Sequence, residues 1–65
     1  MKKKAGPVAP MLYRVEEAAE ALRLSRSALY EVIRSGQLRT VKCGRRRLVP
    51  VAALAEYIAI LERAA

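Results

Sequence analysis

Sixty-five residues with a formal charge of +7 and no histidine make one small, basic domain. A chain this short buries only about 60% of the surface its unfolded form exposes, so a stability of a few kcal/mol and no deep catalytic cavity are expected. With neither histidine nor aspartate, and with Cys43 as the single cysteine, an internal disulfide, the usual zinc sites and Ser-His-Asp or Cys-His catalysis are excluded. No enzyme, cofactor, metal or small-molecule ligand is therefore expected. No apolar run approaches the roughly 18 residues that span a bilayer, and nothing resembles a signal-peptide core, so no membrane partner and a reducing, cytoplasmic location are expected.

Residues 1–11 read as a flexible basic tail, with three lysines, Gly6, Pro7 and Pro10 and little to bury. Either it follows a nucleic-acid backbone or it is a solubilising leader. Residues 12–65 read as the folded domain. Val15, Ala18, Ala19 and Leu22 fall at helical spacing, predicting a helix from Val15 to about Arg23. Glu16 and Glu17 suit its first turn, where the helix dipole favours negative charge. Arg14 precedes it as a poor N-cap; Ser or Thr there would pair with Glu17 in a capping box, a difference on the order of 1 kcal/mol.

A second helix begins at the good N-cap Ser25 and ends near Gly36, where the left-handed conformation commonly stops a helix. Ala28, Leu29, Val32 and Ile33 cover one arc of it, with Ser27, Tyr30, Glu31 and Arg34 opposite. Only Leu24 and Ser25 separate the two helices, which predicts a steep helix-turn-helix. Leu38 to Cys43 alternates like a strand, with Val41 and Cys43 on one side and Thr40 and Lys42 on the other. Gly44 supplies a turn, Leu48 and Val49 begin a return strand, and Pro50 ends it. A third helix is predicted from about Val51 to Arg63, with Val51, Leu54, Tyr57, Ile58 and Leu61 as its buried stripe and Ile60 off it. Ile60, Ala53 and Ala64 form a weak second apolar line, read either as a protein–protein surface or as one exposed isoleucine near a frayed end.

The charge is concentrated. Residues 34–47 carry Arg34, Arg39, Lys42, Arg45, Arg46 and Arg47 and no acid. Such a stretch is the electrostatic footprint of an anionic partner, and duplex DNA is the foremost one. A charged turn also discourages edge-to-edge aggregation, but two or three charges suffice for that.

Val15-Glu16-Glu17-Ala18-Ala19, Leu24-Ser25-Arg26-Ser27, Tyr30, Ile33-Arg34-Ser35-Gly36, Leu38, Val41-Lys42, Gly44-Arg45-Arg46 and Leu48-Val49-Pro50-Val51 with Leu54 together resemble the excisionase family. The DNA-binding domain of MerR-type regulators is similar. The resemblance covers roughly residues 12–62 and implies a mainly α fold with a small β-hairpin, a winged helix-turn-helix of three helices and a two-stranded wing. It departs from the family pattern at Arg14, in place of the usual cap, and at Arg47, where a neutral residue is common. At Cys43 the family has a branched aliphatic residue, and the thiol reads as a small buried apolar substitute.

The resemblance makes the second helix the recognition helix, with Ser25, Arg26, Ser27, Tyr30 and Arg34 toward the major groove. The other reading of that face is a solvated helix surface. Glu31 either accepts from a cytosine amino group or pairs with Arg34, the reading favoured here. Lys42, Arg45, Arg46 and Arg47 form the wing, suited to a phosphate backbone or a narrow minor groove. The implied function is sequence-specific double-stranded DNA binding by a recombination directionality factor, with a site-specific integrase and further copies of the chain as partners. Bound copies would bend the DNA and direct excision of a phage or integrative element. A small repressor built on the same domain is the alternative, and an antitoxin-like protein-interaction module is another. Because the chain stops at Ala65, no effector domain is expected.

Overall fold

The structure, a computed structural model, describes residues 10–65. Most of the basic tail expected over residues 1–11 lies outside the described residues. The described chain runs β1 (Leu12–Arg14), α1 (Val15–Leu22), α2 (Arg26–Arg34), β2 (Val41–Cys43), β3 (Arg46–Pro50) and α3 (Val51–Ala64). Three helices and a small antiparallel wing are the winged helix-turn-helix the sequence implies.

The sheet is three-stranded rather than two-stranded, in the order β1-β3-β2. Leu12 faces Pro50, Tyr13 faces Val49 and Arg14 faces Leu48, so the segment ahead of α1 closes the second side of β3. Three residues give too short an alternation to be legible as a strand, and only the partner strand makes them one. The Val51 amide then donates to the Met11 carbonyl at 2.9 Å, which ties the start of α3 to the same edge. Pro50 sits at the last position of β3, where its missing N–H costs least.

Arg14 caps α1 differently from a Ser or Thr. A guanidinium accepts no hydrogen bond, so the N3 amide gains nothing from it. The reverse half of the box is present: the Arg14 amide donates to Glu17 Oε1 at 2.9 Å, and Arg14 Nη2 donates to Glu17 Oε2 at 3.2 Å. Those two bonds hold the Glu17 carboxyl below the usual carboxylate range, the backbone amide contributing most, and the Glu17 carboxylate raises Arg14 in turn.

At its other end α1 closes in a Schellman motif. Leu24 N donates to Ala19 O at 2.8 Å and Arg23 N to Glu20 O at 3.1 Å, which forces Arg23 into the left-handed region at φ 62°. Arg23 is the only non-glycine with positive φ among the described residues, and an L-side chain there costs about 1 kcal/mol. The motif drops Leu24 against the core and hands the chain directly to Ser25. The Ser25 hydroxyl accepts from the Ala28 amide at 3.1 Å, the cap expected of it. Gly36, at φ 86°, ends α2 in the left-handed stop the sequence predicts.

Val15, Ala18, Ala19, Leu29, Leu38, Val49, Ala53, Leu54 and Tyr57 make the core. Leu29, Leu38 and Val49 are its largest fully buried side chains, one each from α2, the connection and β3. Leu38 was expected to open a strand; it is instead a buried plug in the loop, and β2 begins only at Val41.

Burial departs from the sequence pattern in β2 and in α3. Cys43 is exposed, as is all of β2, because among the described residues the strand packs chiefly against β3 at the end of the sheet. The third helix is also rotated from the expected stripe. Ala53, Leu54 and Tyr57 are buried and Ile60 is half-buried, while Val51, Ile58 and Leu61 are 39%, 43% and 48% exposed. Two of the three residues of the weak second apolar line, Ala53 and Ile60, therefore lie on the packed side of α3, while Ala64 is exposed near its end. Of the five alanines of α3 only Ala53 is buried, beside Leu54 and Tyr57, where its small methyl group allows the helix to pack closely.

Candidate nucleic-acid interface

On α2 the core claims Leu29, with Val32 and Ile33 packed against it. A helical repeat of 3.6 residues then leaves Arg26, Ser27, Tyr30, Glu31 and Arg34 on the opposite, exposed side. Arg34 Nη1 lies 3.2 Å from Glu31 Oε2, the pair favoured from the sequence. Both side chains are mostly solvated, so the pair is worth only a few tenths of a kcal/mol. Either group can exchange it for a ligand at little cost.

The wing is a tight hairpin. Only Gly44 and Arg45 separate the strands, and Gly44 at φ 64° has the positive first position of a type II′ turn. Cys43 faces Arg46 and Lys42 faces Arg47 across the ladder. Two like charges directly opposite each other destabilise a strand pair. Arg47 Nη1 reaches Thr40 Oγ1 only at 3.4 Å, a long contact. Among the described residues no carboxylate pairs with Lys42, Arg45, Arg46 or Arg47. The wing is thus a set of uncompensated cations held on a short rigid turn.

Arg39 belongs to the same basic stretch but is spoken for. Its Nε and Nη2 grip the Glu56 carboxylate of α3 at 3.0 and 3.1 Å, which raises Arg39 and holds Glu56 below the ordinary carboxylate range. This fork fastens the loop between α2 and the wing to α3, so Arg39 acts in placing the hairpin.

The two surfaces meet. An open cleft of about 460 Å³ is lined by Tyr30 from α2, by Arg45, Arg46, Arg47 and Leu48 from the wing, and by Arg14, Val15 and Glu16 at the start of α1. Tyr30 and the three wing arginines therefore share one side of the molecule. Ser25, Arg26, Ser27 and Arg34 lie elsewhere along the exposed face of α2, and Lys42 sits on β2 outside the cleft lining. Arg14 and Glu16 enter the cleft without having been expected there. Sequence spacing revealed Arg14 only as a weak cap, and nothing in the periodicity announces β1, which delivers it to the cleft. Among the described residues no cluster of three metal-ligating side chains occurs, and no helix is long and apolar enough to cross a membrane.

Residues 12–59 match the family model described as a helix-turn-helix domain. The chain belongs to that family. It is also 41% identical over 51 residues to a protein named "Probable excisionase" from Saccharopolyspora erythraea, in line with the excisionase resemblance of its motifs. That alignment takes in 78% of this chain and 52% of the relative, so the chain spans about half the relative's length. No solved structure matches. α1 and α2 are the two helices of that motif.

Proposed function

We propose that this domain binds double-stranded DNA and serves as an excisionase, a DNA-shaping accessory to a site-specific integrase. The observation that carries the reading is the shared cleft, in which Tyr30 of the recognition helix stands across from Arg45, Arg46 and Arg47. A duplex laid along that side meets a polar helix face and a cationic turn together. α2 enters the major groove with Arg26, Ser27 and Tyr30 toward base edges and flanking phosphates, and Arg34 further along the same face. The wing lies on the neighbouring backbone or in the adjacent minor groove, where an A·T-rich narrow groove attracts arginine. The like-charged Lys42–Arg47 pair gives the wing something to gain from a polyanion.

The excisionase role takes its support from the named relative and from the joint motif pattern. Bound side by side, several copies would bend DNA at a cost of a few kcal/mol, offset by added contacts, and so bring distant integrase sites together. The test is anisotropy of a labelled duplex against salt, followed by an excision assay with the cognate integrase. If about five phosphates are neutralised, affinity falls several-hundred-fold between 50 and 200 mM salt. Replacing Arg45 and Arg46 by alanine weakens all duplexes alike and lowers the salt slope by about two. A chain that ignores duplex in dilute buffer refutes DNA binding. One that binds but neither bends DNA nor alters integrase direction refutes the excisionase role alone.

A further inference from the structure

The turn between α1 and α2 contains a residue that local physics disfavours. Its two hydrogen bonds, Leu24 N to Ala19 O and Arg23 N to Glu20 O, define a Schellman motif whose closing residue must be left-handed. Glycine takes that conformation freely and asparagine tolerates it, whereas a long side chain does not. The chain places an arginine there, at φ 62°. Its side chain is exposed and, among the described residues, has no carboxylate partner, so no ion pair accounts for it. The two backbone bonds and the docking of Leu24 account for the left-handed backbone but not for the choice of arginine, which points to a use outside the fold.

We infer that Arg23 is a phosphate-binding residue of the duplex interface, added by the helix-turn-helix turn to the contacts of α2 and the wing. The inference rests on the DNA-binding reading above. Arg23 stands between the helix that crosses the DNA backbone and the helix that enters the groove, two residues ahead of the N-cap Ser25 and three ahead of Arg26. A strand whose groove receives the first turn of α2 runs its phosphates past that turn. Arginine suits a phosphate, which its planar fork meets with two parallel hydrogen bonds. The contact reads no base. It fixes the register of α2 and adds one charge to the electrostatic footprint, at the end of the interface away from the wing.

The inference predicts that stability and binding move in opposite directions. Arg23→Gly and Arg23→Asn both fit the left-handed site and lack the charge. Each melts at or above the temperature of the parent chain. Each binds a labelled mixed-sequence duplex roughly three- to tenfold more weakly, with a salt slope shallower by about one. Arg23→Lys keeps the charge and the parental slope. An Arg23→Gly variant with parental affinity and slope overturns the assignment, as does one that melts lower, since the backbone would then not be resisting arginine. If the parent chain itself binds no duplex, the DNA-binding reading falls first and this assignment with it. A parent that binds beside an indifferent Arg23→Gly variant leaves that reading intact and removes Arg23 alone.

Discussion

Leu29 and Ile58 separate what the fold needs from what hydrophobicity alone would suggest. Leu29 is fully buried in the core where α2 packs on α1, whereas Ile58 is 43% exposed on the rim of α3. Leu29→Ala deletes buried methyl groups and leaves a cavity that small helices close poorly, a loss of about 3–5 kcal/mol. A domain of this size has a folded stability of about 3–5 kcal/mol, so the variant should be largely unfolded near room temperature. Ile58→Ala removes a side chain already half in water and should cost less than about 1 kcal/mol. Far-UV circular dichroism through thermal and urea titrations reads both. Saturating duplex at a hundredfold over its dissociation constant adds about 2.7 kcal/mol to the folded state, so Leu29→Ala should regain helix on addition of DNA. If Leu29→Ala melts cooperatively within a few degrees of the parent, or Ile58→Ala proves the more damaging change, the assigned core is wrong.

The wing and the α3 fork give two more expectations. Lys42→Glu turns the Lys42–Arg47 repulsion into an attraction, so it should stabilise by up to about 1 kcal/mol and raise the melting temperature by several degrees while weakening duplex binding. An unchanged melt would mean that the two side chains do not meet across the ladder. Glu17 and Glu56 both have carboxyls held below their unfolded values by arginine partners, so their contribution is present above the ordinary carboxylate pKa and is lost as pH falls through the lowered folded values. Thermal melts should therefore decline on acidification below about pH 4.5, and Glu56→Gln should flatten part of that decline. Identical pH profiles for parent and variant would remove the Arg39–Glu56 fork from the folded molecule in solution.

The order of helices and hairpin is legible along the chain, because their signals are local. Ser25 caps and Gly36 stops α2 by backbone requirements that neighbouring residues satisfy alone, and the alternation of Leu29 with Tyr30 and Arg34 follows from helical period. The Glu31–Arg34 pair is legible for the same reason, since residues one turn apart must be neighbours. Tertiary structure decided whatever depended on docking. Which side of α3 faces inward was settled by its packing against β3, which leaves Ile58 and Leu61 at the rim, a matter of docking that side-chain hydrophobicity does not encode. Cys43 lies in water because its strand packs chiefly against β3 at the end of the sheet, which its own apolar character could not reveal. β1 exists only because β3 lies beside it, and through it Arg14 and Glu16 reach the cleft. Composition named the cations; long-range pairing alone settled which are free, leaving Arg45 and Arg46 open to a ligand and binding Arg39 to Glu56, seventeen residues away along the chain.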